Sequence, residues 1–176
     1  MESDEKLIES ANKGDAEAFE ALYYRYRDWV YRLAWRFTGD RERALDVLQE
    51  TFTYLLKKFP GFQLTCAMTT FLYPVVKHVA LAIRRKDKQL SGQEVPGEVA
   101  SAPPKEGHRW RSELGAVLAV LPDEHREVLM MRFVDDMALQ EIAEALDIPL
   151  STVKSRLYRA LETLRDDKRT RDYFLE

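Results

Sequence analysis

The sequence predicts an all-α protein made of two small helical domains joined by a flexible linker. Apolar residues recur every three to four positions through most of the chain, the period of a helix with one buried face. That pattern lapses once, between Asp87 and His108, where DKQLSGQEVPGEVASAPPKEGH is rich in Pro, Gly, Ser and charge. With 176 residues, 45% of them hydrophobic, the chain holds one ordinary domain or two small ones, each able to bury a core. The expected organisation is a helical domain over residues 1–86, a linker over 87–112 and a second helical domain over 113–176.

A short helix is expected around Leu7 and Ile8. Phe19, Leu22, Tyr23, Tyr26, Val30, Leu33 and Phe37 then form the stripe of one long helix, with Asp15 placed to cap it and Gly39 to close it. After Asp40, a second stripe runs through Ala44, Leu45, Leu48, Phe52, Leu55, Leu56 and Phe59 and ends at Pro60-Gly61. A third helix starts after Thr69 or Thr70 and carries Phe71, Leu72, Val75, Val76, Val79, Ala80 and Ile83. Pro74 then falls in its first turn, where a missing N–H is tolerated. Beyond the linker, Leu114, Val117, Leu118 and Leu121 give a helix stopped by Pro122, and Asp123 is placed to cap another through Val128, Leu129 and Phe133.

Residues Leu139 to Leu161, LQEIAEALDIPLSTVKSRLYRAL, read as two short helices joined by a tight turn. Leu139, Ile142, Ala143 and Leu146 share one face of the first, and Val153, Leu157 and Leu161 share one face of the second. Ala143 is small where the helices must approach closely. Pro149 stops the first helix, and Ser151 or Thr152 is placed to cap the second. With its apolar stripe inward, the second helix turns Lys154, Ser155, Arg156 and Arg159 outward, the donor-rich types that bind phosphates and guanine edges in a major groove. A solvated basic face has the same pattern, so the alternative to a DNA-reading helix-turn-helix is an ordinary amphipathic helix.

Charge and motifs narrow the function classes. The net charge of -3 excludes a general polyanion binder, so any nucleic-acid contact must come from local cationic faces. The single cysteine, Cys66, excludes an internal disulfide and fits a reducing compartment, with the cytoplasm as the default. The polar, acidic start is unlike a signal peptide, and no apolar run is long enough for membrane insertion. There is no phosphate-cradling glycine loop, HExxH, GxSxG or CxxC, and three scattered histidines with one cysteine make no metal site. No enzyme activity, cofactor or metal is therefore expected, and His78, His108 and His125 read as surface or packing residues.

Laid together, the two halves resemble a known family. LPDEHREVLMMRFVDDMALQEIAEALDIPLSTVKSRLYRALETLR resembles region four of the sigma-70 family, and GDAEAFEALYYRYRDWVYRLAWRFTGDRERALDVLQETFTYLLKKFP resembles region two, in the family's order and spacing. A short chain with only these regions and a linker is similar to the extracytoplasmic-function (ECF) group of bacterial RNA polymerase sigma factors. Response regulators also end in TVKSRL-like helices, but the upstream DVLQETF sets this chain apart from them.

The resemblance implies a cytoplasmic initiation factor that is nucleoid-associated when bound to polymerase. Its partners would be core RNA polymerase, promoter DNA and an anti-sigma factor. Asp46, Gln49, Glu50 and Phe52 would dock on the polymerase clamp helices, acceptors meeting arginines around an apolar contact; a solvated face is the alternative for the two carboxylates. The helix from Ser151, with Thr152, Lys154, Ser155, Arg156 and Arg159, would read the minus-thirty-five element, Arg156 at the bases and Arg159 at the backbone. Phe62, Phe71, Tyr73, Lys77, His78, Arg84 and Arg85, followed by Lys86, would hold the melted minus-ten strand by stacking and phosphate contacts. Phe71 and Tyr73 suit the core equally well.

Several positions depart from the family's pattern. Lys77-His78 stands where an arginine-asparagine pair is usual, Ala82 where an aspartate is usual, and Phe71 where the family starts with tryptophan. Arg43 and Leu45 thin the acidic run ahead of DVLQETF, and Asp147 replaces a glycine in the helix-turn-helix turn, a place where Asp tolerates a left-handed backbone. These departures leave two readings: a working sigma factor with altered minus-ten preference, or a sigma-like decoy that binds an anti-sigma protein without initiating. A plain helix-turn-helix regulator is a third, separated from both by polymerase binding.

Overall fold

A computed structural model describes residues 2–90, 115–167 and 170, and the described residues are helical with no strand among them. The chain divides into two compact units, Met1–Ser101 and Ala102–Glu176. Of the linker expected over 87–112, residues 91–112 lie outside the described residues, as does Leu114. Residues 87–90 continue a helix instead.

The first unit consists of α1 (Asp4–Asn12), α2 (Ala16–Thr38), α3 (Arg41–Leu56) and α4 (Met68–Leu90). Helix α2 is the hub, packing on each of the other three. Its residues Leu22, Val30, Leu33 and Ala34 are fully buried, joined in the core by Ala44 and Val47 of α3 and by Leu72, Val76 and Ala80 of α4. Asp15 caps α2 as its residue type suggests, the side chain accepting from the Glu17 and Ala18 amides at 3.0 and 3.3 Å. Gly39 ends α2 in the left-handed region at φ 65°, and Asp40 immediately caps α3 by accepting from the Arg43 amide at 2.9 Å. This two-residue corner sets which face of α3 turns inward.

That face is narrower than the sequence stripe. Ala44, Val47, Thr51 and Leu55 form the buried line, while Leu45 and Leu56, expected inside, are exposed. Helix α4 starts at Met68, earlier than expected, because the buried Met68 side chain anchors its first turn. Pro74 consequently lies in the second turn, where the Thr70 carbonyl loses its usual N–H partner. The proline ring is on the exposed side, and the helix continues through it. Arg43 and Asp87 form an ion pair at 2.8 Å, tying α4 to α3.

Between α3 and α4 the chain from Phe59 to Ala67 is not helical, and Asn12 fastens it down. The Asn12 side chain accepts from the Gly61 and Phe62 amides at 2.6 and 3.0 Å and donates to the Phe62 carbonyl at 2.8 Å. One amide thereby replaces the partners that a strand or helix would have supplied.

The second unit has a helical turn at 115–118, then α5 (Asp123–Phe133), α6 (Leu139–Leu146) and α7 (Leu150–Asp166). Leu121, Leu129 and Ala160 form a buried cluster on which Leu118, Leu157 and Leu164 pack. Arg126 closes the turn before α5, its guanidinium donating to the Leu118 and Leu121 carbonyls at 2.9 and 2.8 Å and pairing with Asp123 at 3.1 Å. Asp123 lies inside the first turn, after Pro122 at the cap position, and makes no cap hydrogen bond. Between α6 and α7, Asp147 adopts the left-handed conformation at φ 53°, and the Ile148 amide bonds back to the Ala143 carbonyl at 3.0 Å. Neither Ser151 nor Thr152 caps α7. Pro149 holds that place, and both residues lie in the first helical turn.

Asn12→Ala should lower the stability of the first unit by about 1–3 kcal/mol, since it strips partners from part-buried backbone groups. Amide exchange at Gly61 and Phe62 should accelerate selectively. Unchanged exchange there would show that the loop is held by other contacts.

Candidate nucleic-acid and protein interfaces

Helix α7 presents two different faces because its buried stripe is Val153, Leu157, Ala160 and Leu164. Leu161, expected on that stripe, is exposed. Opposite lie Ser151, Lys154, Ser155, Tyr158 and Arg159, all exposed, with Thr152 half-buried beside them. Lys154 and Arg159 have no acidic partner among the described residues. Arg156 does not join this face. It flanks the buried stripe, its side chain only 21% exposed, and its Nη2 is paired with Glu124 on the first turn of α5. The expectation of an outward-turned Arg156 is thereby corrected, and the cause is an acid far away in sequence. Tyr158, 66% exposed at the centre of the outward face, joins it without having been expected there. An apolar ring on a helix reads as core; only the register set by Val153 and Ala160 places it outside.

Helix α3 also has a clear outer face. Asp46, Gln49 and Glu50 are exposed together on it. Leu45, Tyr54 and Leu56 are exposed on the same helix at 46%, 41% and 53%, so acceptors stand beside apolar surface, the composition of a protein-docking patch. Phe52 is not part of that surface. It is 6% exposed and packs edge-on against Tyr23, with ring centroids 4.8 Å apart. The expected exposed anchor is therefore not Phe52; the large apolar residues exposed on α3 are Leu45, Tyr54 and Leu56.

The third set of residues divides between core and surface. Phe62 is buried between Phe59 and Phe71, at centroid separations of 5.4 and 5.0 Å, and Tyr73 is buried against Phe37 at 6.1 Å. Both rings therefore hold the loop and α4 in place and are closed to stacking; Phe71 stays partly exposed. Arg84 is half-buried and donates to the Phe37 carbonyl at 3.1 Å, serving the C-terminal end of α2. His78, Ala82 and Arg85 lie one turn apart on one exposed stripe of α4, with Lys86 exposed next to Arg85 and Lys77 half-buried at the edge.

Beside the loop is a cleft of about 450 Å³ lined by Asp4, Glu5, Tyr26 and residues 64–69. The Tyr26 hydroxyl donates to Asp4, which also pairs with Arg25. Burial first, and then the Asp4 hydrogen bond and charge, hold the Tyr26 phenol protonated well above its usual range. No group of His, Cys, Asp and Glu able to hold a metal occurs among the described residues. No helix among them is long and apolar enough to cross a membrane.

Comparison with known proteins matches residues 22–89 to the family model "Sigma-70 region 2" and residues 117–166 to "Sigma-70, region 4". The ECF RNA polymerase sigma factor SigW of Bacillus subtilis is 30% identical, the match covering 93% of this chain and 96% of that one. The RNA polymerase sigma-H factor of Pseudomonas aeruginosa is 28% identical over 93% of each chain. Among solved structures, CnrH in complex with the cytosolic domain of CnrY has the same fold, with a TM-score of 0.69 at 20% identity, covering 93% of this chain and 96% of that chain. The sigma factor RpoE in complex with the anti-sigma factor NepR from Bartonella quintana gives 0.64 at 17% identity, covering 86% and 96%.

Phe52→Ala should cost about 3–5 kcal/mol of stability by leaving a cavity, whereas Asp46→Arg with Glu50→Arg should leave the thermal unfolding midpoint nearly unchanged. A mild Phe52→Ala would return that ring to the surface. The Tyr26 contact gives a pH dependence of known sign. Its folded pKa lies above the ordinary 10.0, so its contribution is intact below that value and fades as pH climbs through the raised one. Alkaline urea titrations should show the stability difference between wild type and Tyr26→Phe shrinking as pH rises.

Proposed function

This chain belongs to the ECF group of the sigma-70 family of RNA polymerase sigma factors, and from that premise we propose that it binds core RNA polymerase and directs promoter-specific initiation. The observation that carries the reading is the asymmetry of α7. An aliphatic buried face backs an outer face of Ser151, Lys154, Ser155, Tyr158 and Arg159 that pairs with no acid among the described residues. Such a helix fits the major groove of the minus-thirty-five element, hydroxyls and cations meeting base edges and phosphates while the Tyr158 ring offers apolar contact to a thymine methyl. Thr152 and Arg156 flank that surface.

The polymerase contact is assigned to Asp46, Gln49 and Glu50, with Leu45, Tyr54 and Leu56 supplying the apolar part. Carboxylates and an amide around exposed leucines suit a basic helical partner. The minus-ten strand is assigned to the stripe of His78 and Arg85 with Lys86, the exposed edge of Phe71 and the half-buried Lys77, with Phe62, Tyr73 and Arg84 holding that surface in shape. An anti-sigma protein is the regulatory partner, as RpoE from Bartonella quintana forms a complex with the anti-sigma factor NepR. The protein acts in the cytoplasm, at the nucleoid when it is in the polymerase complex. This role involves neither catalysis nor a cofactor.

Two measurements test it. Asp46→Arg with Glu50→Arg should abolish competition for core polymerase without unfolding the chain. Arg159→Ala in the polymerase complex should weaken binding to selected and unrelated duplexes alike, by about fivefold to tenfold, and lower the salt slope by about 1. Undiminished polymerase binding or undiminished duplex binding would remove the corresponding assignment.

A further inference from the structure

The helix read as DNA-facing carries three cations before its first acid, Lys154, Arg156 and Arg159, and among the described residues Arg156 alone of the three is paired with a carboxylate. Arg156 is held by Glu124, which comes from the first turn of α5 and is itself 68% exposed. The pair sits at the edge of α7, beside Val153 and Ala160, not among the outward residues Ser151, Ser155 and Tyr158. Resting on the reading of α7 as a duplex-binding helix, we propose that Glu124 is an electrostatic brake: it withholds Arg156 from the phosphate backbone and so sets the general affinity for DNA, not the preference for sequence.

An arginine that donates to a carboxylate must give up that partner before it can neutralise a phosphate. That cost opposes every duplex equally, because phosphates carry no sequence information. A sigma factor that recognises few promoters among a large excess of other DNA gains from this, since weaker general binding leaves more of it free to search. Glu124 touches no base in this account and acts only through Arg156.

The test uses full-length protein reconstituted with core polymerase, binding a duplex with a selected minus-thirty-five element and one with that element scrambled, across a salt titration. Glu124→Gln should raise affinity for both duplexes by about fivefold to tenfold and steepen the dependence of log affinity on log salt by about 0.9, one added phosphate contact. The ratio between the two duplexes should stay constant. In an Arg156→Ala background, Glu124→Gln should change nothing. A fall in affinity confined to the selected duplex would mean that Glu124 braces Arg156 for base reading, overturning the proposal. Unchanged slope and affinity would overturn it too, as would a gain that persists without Arg156. If the wild-type complex does not distinguish the duplexes at all, the reading of α7 fails and the brake falls with it.

Discussion

Burial of one stripe of α2 against three other helices is the constraint on which the first unit depends. None of these helices is stabilised enough by its own hydrogen bonds to persist alone, so each must surrender one face to the core. With Leu22, Val30, Leu33 and Ala34 inside, the Gly39-Asp40 corner sets the rotation of α3, and Ala44, Val47, Thr51 and Leu55 become its inner line. The outer face follows by geometry. Asp46, Gln49 and Glu50 are presented because Val47 and Thr51 are not. The second unit obeys the same rule: Val153 and Ala160 are buried, so Lys154, Tyr158 and Arg159 face out.

What the sequence made legible were features with a local cause. Asp15, Gly39 and Asp147 are recognisable because caps and left-handed turns depend on one residue and its neighbours. The all-helical character, the two family regions and the outward placement of Asp46, Glu50, Lys154 and Arg159 follow from period and motif. Less legible was the edge of each stripe. At a helical period, Leu45 and Phe52 both qualify as buried, and only packing decides that one is exposed and the other enclosed by Tyr23. Aromatic residues were hardest, since Phe62, Tyr73 and Tyr158 suit a core and a nucleic-acid surface equally by type.

Long-range polar contacts left no mark in the sequence. Arg84 serves the Phe37 carbonyl and Arg156 serves Glu124, and nothing near either arginine announces its partner. Each belongs to a run of cations that looks uniform as text. The fold breaks the uniformity, spending Arg84 on the end of α2 and Arg156 on α5, while Arg85 and Arg159 stay exposed. A basic run therefore overstates the cationic surface that the fold leaves exposed.

Initiation of transcription separates a working sigma factor from a chain that merely occupies an anti-sigma protein. Run-off transcription by core polymerase supplemented with the purified chain, on a promoter library randomised in the minus-ten and minus-thirty-five elements, tests it most directly. Discrete transcripts are expected from a restricted set of promoters, with minus-ten bases that shift when His78→Asn and Ala82→Asp are introduced. Absence of any transcript, from a chain that still binds core polymerase and an anti-sigma protein, would contradict this and establish the decoy.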